Sequence, residues 1–385
     1  MVGSFLEPLK GDKTMVSKGA MAAIVIVIIL VGGVGAYIIM FNPFGPKTNP
    51  YDVAIVFATG GLGDKSFNDG CKKGADDAKA AFGIEYTYAE PTAISDYLGF
   101  LRGFAQHTQY IEPYDLIISV GFDQEVALQT VANESTSQKF AIVDMYIDPI
   151  VYPNVASLLF DEHQGSALVG AIAGLTTTTD KIGFVGGMNI PLINKFAAGY
   201  VFGAGYTNPH LNGTANILAN VSIGYTDDWV DTAAGKNLAD GMYAAGADII
   251  FAAAGRAGLG VFDSVKAKNA TSSVPLWVIG VDSPQMYYGT ADPTDPEPPT
   301  LCLTSMLKKV DVAIYTIIEE WVEDATWQTG YGLLHSFNLA NNGVGYELNS
   351  TLLALPPAVV TAVNNFKTLI IAGNITVPSE IYWTT

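Results

Sequence analysis

Between residues 52 and 282, short apolar runs recur, and each is followed by a stretch with helical spacing. The first series is DVAIVFA (52–58), IEYTYAE (84–90), DLIISVG (115–121), KFAIVDM (139–145) and VASLLFD (155–161). The second is KIGFVGG (181–187), ANILANVSIG (215–224), ADIIFAAAG (247–255) and PLWVIGVD (275–282). Most of these runs lack polar alternation, so they read as strands buried on both faces, the pattern of parallel sheets covered by helices. Helices are expected at about 66–82, 94–109, 123–134 and 163–174, then at about 192–206, 228–245 and 257–268. Two such series in tandem predict an α/β chain of two doubly wound lobes, and 385 residues suit two lobes better than one core.

After residue 283 the rhythm breaks. DPTDPEPP (292–299) reads as a loop, TLCLTSMLKK (300–309) as a strand and VDVAIYTIIEEWVEDATW (310–327) as a helix. GVGYELN (343–349) and LPPAVVTAVNNFKTLIIAG (355–373) then pack back as strand and helix. A lone strand and helix after a complete second series imply that the chain recrosses between lobes, and several crossings make a hinge over a closable cleft. The expected division is 51–160 with 284–327 in one lobe and 161–283 with 328–385 in the other.

Residues 20–41, AMAAIVIVIILVGGVGAYIIMF, carry no charge. At about 1.5 Å per residue such a helix spans the hydrocarbon core of a bilayer. Lys10, Lys13 and Lys18 precede it, so residues 1–19 are expected in the cytoplasm and the large acidic domain outside. A Pro-rich stretch, NPFGPKTNP (42–50), would serve as a stiff tether. SKGAMAA (17–23) resembles the processing site of pilin-like signal peptides, which would leave the helix as an anchor or as an element of self-assembly. Asn-X-Ser/Thr triplets at Asn133, Asn212, Asn220, Asn269, Asn349 and Asn374 are compatible with a glycosylated exterior.

Composition excludes several functions. The formal net charge is −18 and no Lys/Arg run occurs, which argues against nucleic acid as a partner. Two cysteines and four scattered histidines offer neither a disulfide framework nor a metal-ligand spacing. GRAGLG (255–260) follows a strand but lacks the G-x-G-x-x-G spacing of a dinucleotide site, so no cofactor is expected.

In open α/β sheets, ligands bind beyond the carboxyl ends of the strands. After the first strand comes GGLGDKSFN, with Asp64, Ser66, Phe67 and Asn68 at a helix start. Asp144 follows KFAIV, and Asp227, Asp228 and Trp229 follow SIGYT. Arg256, Gly258 and Gly260 follow DIIFAAAG, Asp282 ends WVIGVD, and Ser305 and Lys308 lie in the recrossing strand. Polar groups, aromatics and glycines at the strand ends of both lobes compose a site for a small polar-aromatic ligand.

The blocks GDKSFN (63–68), KFAIVD (139–144), DEHQGSALVGAIAG (161–174), KIGFVGGMNIPLINKFAAGYVFGAG (181–205), GADIIFAAAGRAGLGV (246–261), VIGVD (278–282) and LTSMLKKVDVAIY (303–315) resemble, in order and spacing, the basic membrane protein (BMP) family of substrate-binding proteins. The resemblance runs from about residue 52 to the end of the chain. It implies a periplasmic-binding-protein type I fold, two Rossmann-like lobes with three crossovers and a central cleft. It also implies a nucleoside ligand, usually a purine nucleoside, and an ABC permease as partner. By that resemblance Asp64 and Asn68 hydrogen-bond the base, Phe67 forms one wall and Trp229 stacks from the second lobe. Asp282 accepts from ribose hydroxyls, Lys308 donates to them, and Asp144 with the backbone of Gly255 to Gly258 lines the cleft. Where the family often carries an Asp at the end of the first strand, this chain has Ala58 and Thr59. The chemistry agrees: a base needs a flat face and an edge partner such as Asn, and a ribose diol suits a carboxylate with a cation nearby.

Two other readings stand beside this one. A nucleoside-processing enzyme on the same fold would need grouped catalytic residues, which the sequence does not display. A pilin-like surface filament or sensory receptor would use the same cleft or the N-terminal helix.

Overall fold

The computed structural model describes residues 51–106, 114–324 and 327–383. The expected cytoplasmic segment 1–19, membrane helix 20–41, tether 42–50 and processing site lie outside the described residues. Among the described residues, no helix is long and apolar enough to cross a membrane.

The first series forms β1 (Asp52–Val56), α1 (Phe67–Phe82), β2 (Glu85–Ala89), α2 (Tyr97–Ala105), β3 (Leu116–Val120), α3 (Glu125–Glu134), β4 (Phe140–Val143) and β5 (Val155–Phe160). The second forms α4 (Glu162–Thr176), β6 (Ile182–Gly186), α5 (Pro191–Thr207), α6 (Thr214–Asn220), β7 (Val221–Tyr225), α7 (Thr232–Ala244), β8 (Ile249–Ala253), α8 (Leu259–Asn269) and β9 (Trp277–Asp282). The tail adds β10 (Cys302–Lys308), α9 (Val310–Asp324), β11 (Leu334–Phe337), β12 (Val344–Tyr346) and α10 (Pro357–Ile371).

Two six-stranded sheets result, in the orders β11-β5-β4-β3-β1-β2 and β12-β10-β9-β8-β6-β7. Around β1 and β6 the order is the same in both, so each lobe has its crevice at the carboxyl end of the strand where the winding reverses. The central strands are dry on both faces: Ala54, Ile55 and Val56 are fully buried, as are Ile249, Ile250 and Phe251. Burying each such Val, Ile or Phe side chain contributes roughly 1.5–3 kcal/mol, which holds the strand ends rigid beneath the site.

The division into lobes differs from expectation. β10 pairs parallel with β9, so residues up to Lys308 extend the second sheet rather than the first. β11 pairs parallel with β5, which returns residues 334–337 to the first. The recrossing therefore happens after the strand, where Lys308 meets Val310 at the head of α9, and not at residue 284. The chain crosses at three places: after Phe160, after Lys308 and across residues 338–343. These segments bond to one another, Asp161 N–H to the Phe337 carbonyl and Lys309 N–H to the Gly343 carbonyl, both at 2.9 Å. A second difference is local. The run 215–224 splits into α6 and β7, because Ala, Asn and Leu sustain a helical turn once Gly213, at φ 85°, has turned the chain.

Candidate functional site

β1 is joined to α1 by Ala58–Ser66, a loop in which Gly60, Gly61 and Gly63 take φ of 107°, 63° and 86°. Only glycine adopts such angles freely, so this turn requires them. Carboxylates fix the loop. Asp69 accepts from Gly63 N–H at 2.7 Å and Lys65 N–H at 3.0 Å. Asp64 accepts from the backbone N–H of Ser66, Asn68 and Asp69 at 3.0, 2.8 and 3.1 Å. Both oxygens of Asp64 thus satisfy the orphan amides at the start of α1. Burial raises the Asp64 carboxyl above the ordinary range, and these amides work against that rise. Asn68 accepts from Ala58 N–H through Oδ1 at 3.0 Å, and its Nδ2 lies beside Gly60.

The cleft between the lobes holds about 700 Å³ of atom-free space, part of it open to solvent. Of the residues singled out in the sequence, Asp64, Phe67, Asn68, Asp144, Trp229, Gly255, Arg256, Asp282 and Lys308 line it. Ser66 does not. It lies fully buried behind the wall and donates to Asp282 Oδ2 at 2.6 Å. Gly258 is buried beneath the start of α8. Asp228 holds the loop after β7 by accepting from Val230 and Asp231 N–H. Ser305 donates to buried Glu347 at 2.7 Å, away from the cleft wall.

Trp229 enters from the second lobe over Gly187. A Cβ on Gly187 would stand 2.2 Å from ring atom Cζ3, so only glycine leaves room for the indole. The Trp229 carbonyl accepts from Ala257 N–H at 3.0 Å, which ties its loop to the turn bearing Arg256. On the first-lobe side, a Cβ added at Gly60 would lie 3.7 Å from the Trp229 Cβ, so the two jaws approach closely there.

A buried charge network forms the floor. Lys308, at the end of β10, places Nζ 2.5 Å from Asp144 Oδ2 and 3.2 Å from Glu162 Oε1. Lys195 on α5 reaches Glu162 Oε2 at 3.2 Å. The Lys308 ammonium also lies 5.2, 5.0 and 5.7 Å from the ring centres of Phe67, Phe160 and Phe196. Burial works against the Lys308 charge, but Asp144, Glu162 and Asp282 outweigh it and hold its pKa above that of an ordinary lysine. Asp144 feels burial more than it feels Lys308, so its carboxyl is raised. Burial pushes the Asp282 carboxyl up to about 6, with Lys308 and the Ser66 hydroxyl opposing. Asp144 and Asp282 occupy like places at the ends of β4 and β9, both with left-handed φ, 69° and 63°. Asp144 Oδ1 is buried without a hydrogen-bond partner.

Sequence reasoning missed several wall residues. Thr59, Phe122, Asp123, Leu192, Ile193 and Phe196 all line the cleft. Asp123 accepts from the Tyr97 hydroxyl at 2.9 Å and the Thr59 hydroxyl at 3.4 Å, and burial raises its carboxyl. The strand-end rule applied to DLIISVG would have found Phe122 and Asp123. Glu162 and Lys195 gave no such signal, because each belongs to a helix and is brought in by the hinge.

The geometry is therefore a two-jawed cleft with an aromatic wall and a carboxylate–lysine floor. The sequence profile described as ABC transporter substrate-binding protein, PnrA-like, matches residues 51–380. The chain belongs to this family. It is 33% identical over 345 residues to a CD4+ T-cell-stimulating antigen of Listeria innocua, covering 87% of this chain and 90% of that one. It is 32% identical to an ABC transporter nucleoside-binding protein of Lactococcus lactis, covering 85% of this chain and 89% of that one. An uncharacterized lipoprotein of Pyrococcus horikoshii is 36% identical, over 76% of this chain and 68% of its own length. Among solved structures, an ABC transporter solute-binding protein of Aeropyrum pernix superposes with a TM-score of 0.70 at 28% identity, covering 86% of this chain and 94% of that one. As a member of this family the chain is a substrate-binding protein, with the α/β two-lobed architecture of its structural neighbours.

Proposed function

We propose that this protein is a cell-surface receptor that captures a nucleoside, a purine nucleoside by preference, and delivers it to an ABC importer. One observation carries the reading. A single cleft sets an indole face, Trp229, and a phenyl ring, Phe67, beside a buried Asp144–Lys308 pair and Asp282. A base requires the first feature and a ribose diol the second. Asp144 Oδ1 and Asp282 accept from the ribose hydroxyls, Lys308 donates, and Asn68 Nδ2 serves the base edge. Asp64 acts on the base only indirectly, by fixing the start of α1. Similarity to the nucleoside-binding protein of Lactococcus lactis and the shared family support the same conclusion.

Residues 20–41 anchor the receptor to the membrane with the cleft outside the cell. Similarity to a lipoprotein of Pyrococcus horikoshii fits a membrane-associated exterior location. Asn133 and Asn269 lie at the ends of α3 and α8 that lead into strand amino ends, so sugars there would leave the cleft clear.

Titration calorimetry of the full-length protein with adenosine, guanosine and inosine is expected to show saturable binding of at least one, with the ligand recovered intact. No heat with any nucleoside would refute the reading, and recovery of free base would identify an enzyme instead.

Affinity is expected to depend on pH through Asp282. The ribose site needs its carboxylate, and a folded-state pKa of about 6 means that protons compete below that value. Binding should be full above about pH 7 and weaken toward about tenfold per pH unit well below 6. Folding stability moves the other way. A carboxyl raised in the folded state favours folding most below its unfolded pKa, and that contribution is lost as pH rises through about 6. The check is calorimetry from pH 5 to 8 on the native protein and on Asp282→Asn, whose affinity should be low and flat.

A further inference from the structure

Arg256 is a charged cleft residue to which the nucleoside reading assigns no task. It stands on the turn after β8 in the second lobe, and its Nη2 donates across the cleft to the Leu62 carbonyl of the first lobe at 2.7 Å. Its Nε is buried with no hydrogen-bond partner. Among the described residues no carboxylate pairs with it. The carboxylates that share the cleft are engaged elsewhere: Asp64 with backbone amides, Asp123 with Tyr97 and Thr59, Asp144 with Lys308, and Asp282 with Ser66. A guanidinium does not deprotonate in a protein, so the free N–H remains a donor at every working pH. A buried donor without an acceptor is unfavourable, and the ligand is the partner left to supply one.

The position of the group says which part of the ligand. The Trp229 ring lies against Gly255, with Cε3 3.8 Å from where its Cβ would be, and Arg256 is the next residue. On the other side, Nη2 lies 3.7 Å from where a Cβ on Gly63 would be, in the loop that leads to Phe67 and Asn68. The guanidinium thus bridges the two loops that carry the aromatic walls, at the edge of a base held between them. Nη2 has two hydrogens and Leu62 takes one. With Leu62 on the Nη2 hydrogen that points away from Nε, the other would form with Nε–H a side-on fork for two adjacent acceptors. A 6-oxopurine offers such a pair in O6 and N7. Adenine places an amino group beside N7, and uracil offers O4 without a neighbouring acceptor.

We propose that Arg256 is a specificity-determining residue that selects 6-oxopurine nucleosides, guanosine and inosine, over adenosine and uridine. The proposal rests on the nucleoside reading and adds the class of base. A bidentate arginine contact discriminates by about tenfold or more.

Calorimetry on the full chain with guanosine, inosine, adenosine, uridine and 7-deazaguanosine tests it. Guanosine and inosine should bind at least about tenfold more tightly than adenosine and uridine, and 7-deazaguanosine, which lacks the N7 acceptor, should lose about tenfold against guanosine. In Arg256→Gln these ratios should collapse to within about threefold while guanosine still binds. Adenosine binding as tightly as guanosine in the native protein overturns the assignment. So does an Arg256→Gln variant that weakens every ligand by the same factor, since that is the result for a residue that only latches the lobes. The 7-deazaguanosine comparison needs no variant and decides the matter even where Arg256→Gln folds poorly. Silence from all five nucleosides removes the underlying reading and this one with it, whereas binding without discrimination removes only this one.

Discussion

Replacing Lys308 by methionine is expected to destabilise the protein by about 3–5 kcal/mol, the usual cost of removing one partner from a buried ion pair. Lys308 is 3% exposed, and the side chains of Asp144 and Glu162, its partners, are 5% and 0% exposed. Methionine fills much the same volume but strips Asp144 of its ammonium partner and leaves Glu162 with Lys195 alone. The three phenyl rings around Nζ would accommodate the thioether, so the loss is one of charge rather than of packing. Urea unfolding monitored by tryptophan fluorescence measures the effect. Adding Glu162→Gln to the methionine variant should restore part of the lost stability, since it removes one of those negative charges. Nucleoside binding should fall in both variants, because the donor proposed for the ribose is gone. A methionine variant as stable as the native protein would show that the network is not a coupled unit.

The second large effect concerns recognition. Trp229→Ala should weaken nucleoside binding by about 1–3 kcal/mol, which is the range for loss of one aromatic platform under a base. Stability should change less, because Trp229 is only partly buried and no core strand depends on it. Trp229→Phe should retain most of the affinity. Gly187→Ala offers an independent route to the same site. Its methyl group would stand 2.2 Å from Cζ3, so the indole must leave its seat while every polar ligand contact remains. Unchanged affinity in both Trp229→Ala and Gly187→Ala would exclude the indole as a wall.

Much of the fold was legible because buried parallel strands are written as apolar runs and the segments between them carry helical spacing. The strand-end rule then brought Asp144, Trp229, Arg256 and Asp282 to one cleft, although up to 138 residues separate them in sequence. What escaped has physical reasons. Strand Leu334–Phe337 contains His335 and Ser336 on an edge, where one-sided burial relaxes the hydrophobic demand. The ownership of Cys302–Lys308 depended on which sheet edge was vacant, and local pattern does not encode that. Asp64, placed at the base by the family resemblance, lines the cleft and also accepts from three backbone amides at the start of α1, a role that the motif alone does not reveal. Glu162 sits at the head of a helix in a stretch that reads as ordinary solvated surface, and only the crossing of the chain carries it beneath the site.

Hydrogen bonds join the jaws through the protein's own atoms, among them Arg256 to the Leu62 carbonyl, Ser66 to Asp282, Ser283 to the Ser66 carbonyl and Gln285 to the Lys65 carbonyl. Shutting the clamp is therefore only partly the cargo's work. A bond of this kind that favours the shut form raises the fraction of molecules competent to hold a ligand, and the apparent dissociation constant falls in proportion. Evolution or an engineer could thus retune how avidly the receptor scavenges by altering Gln285 or Ser283, neither of which lines the cleft, and leave the choice of cargo untouched.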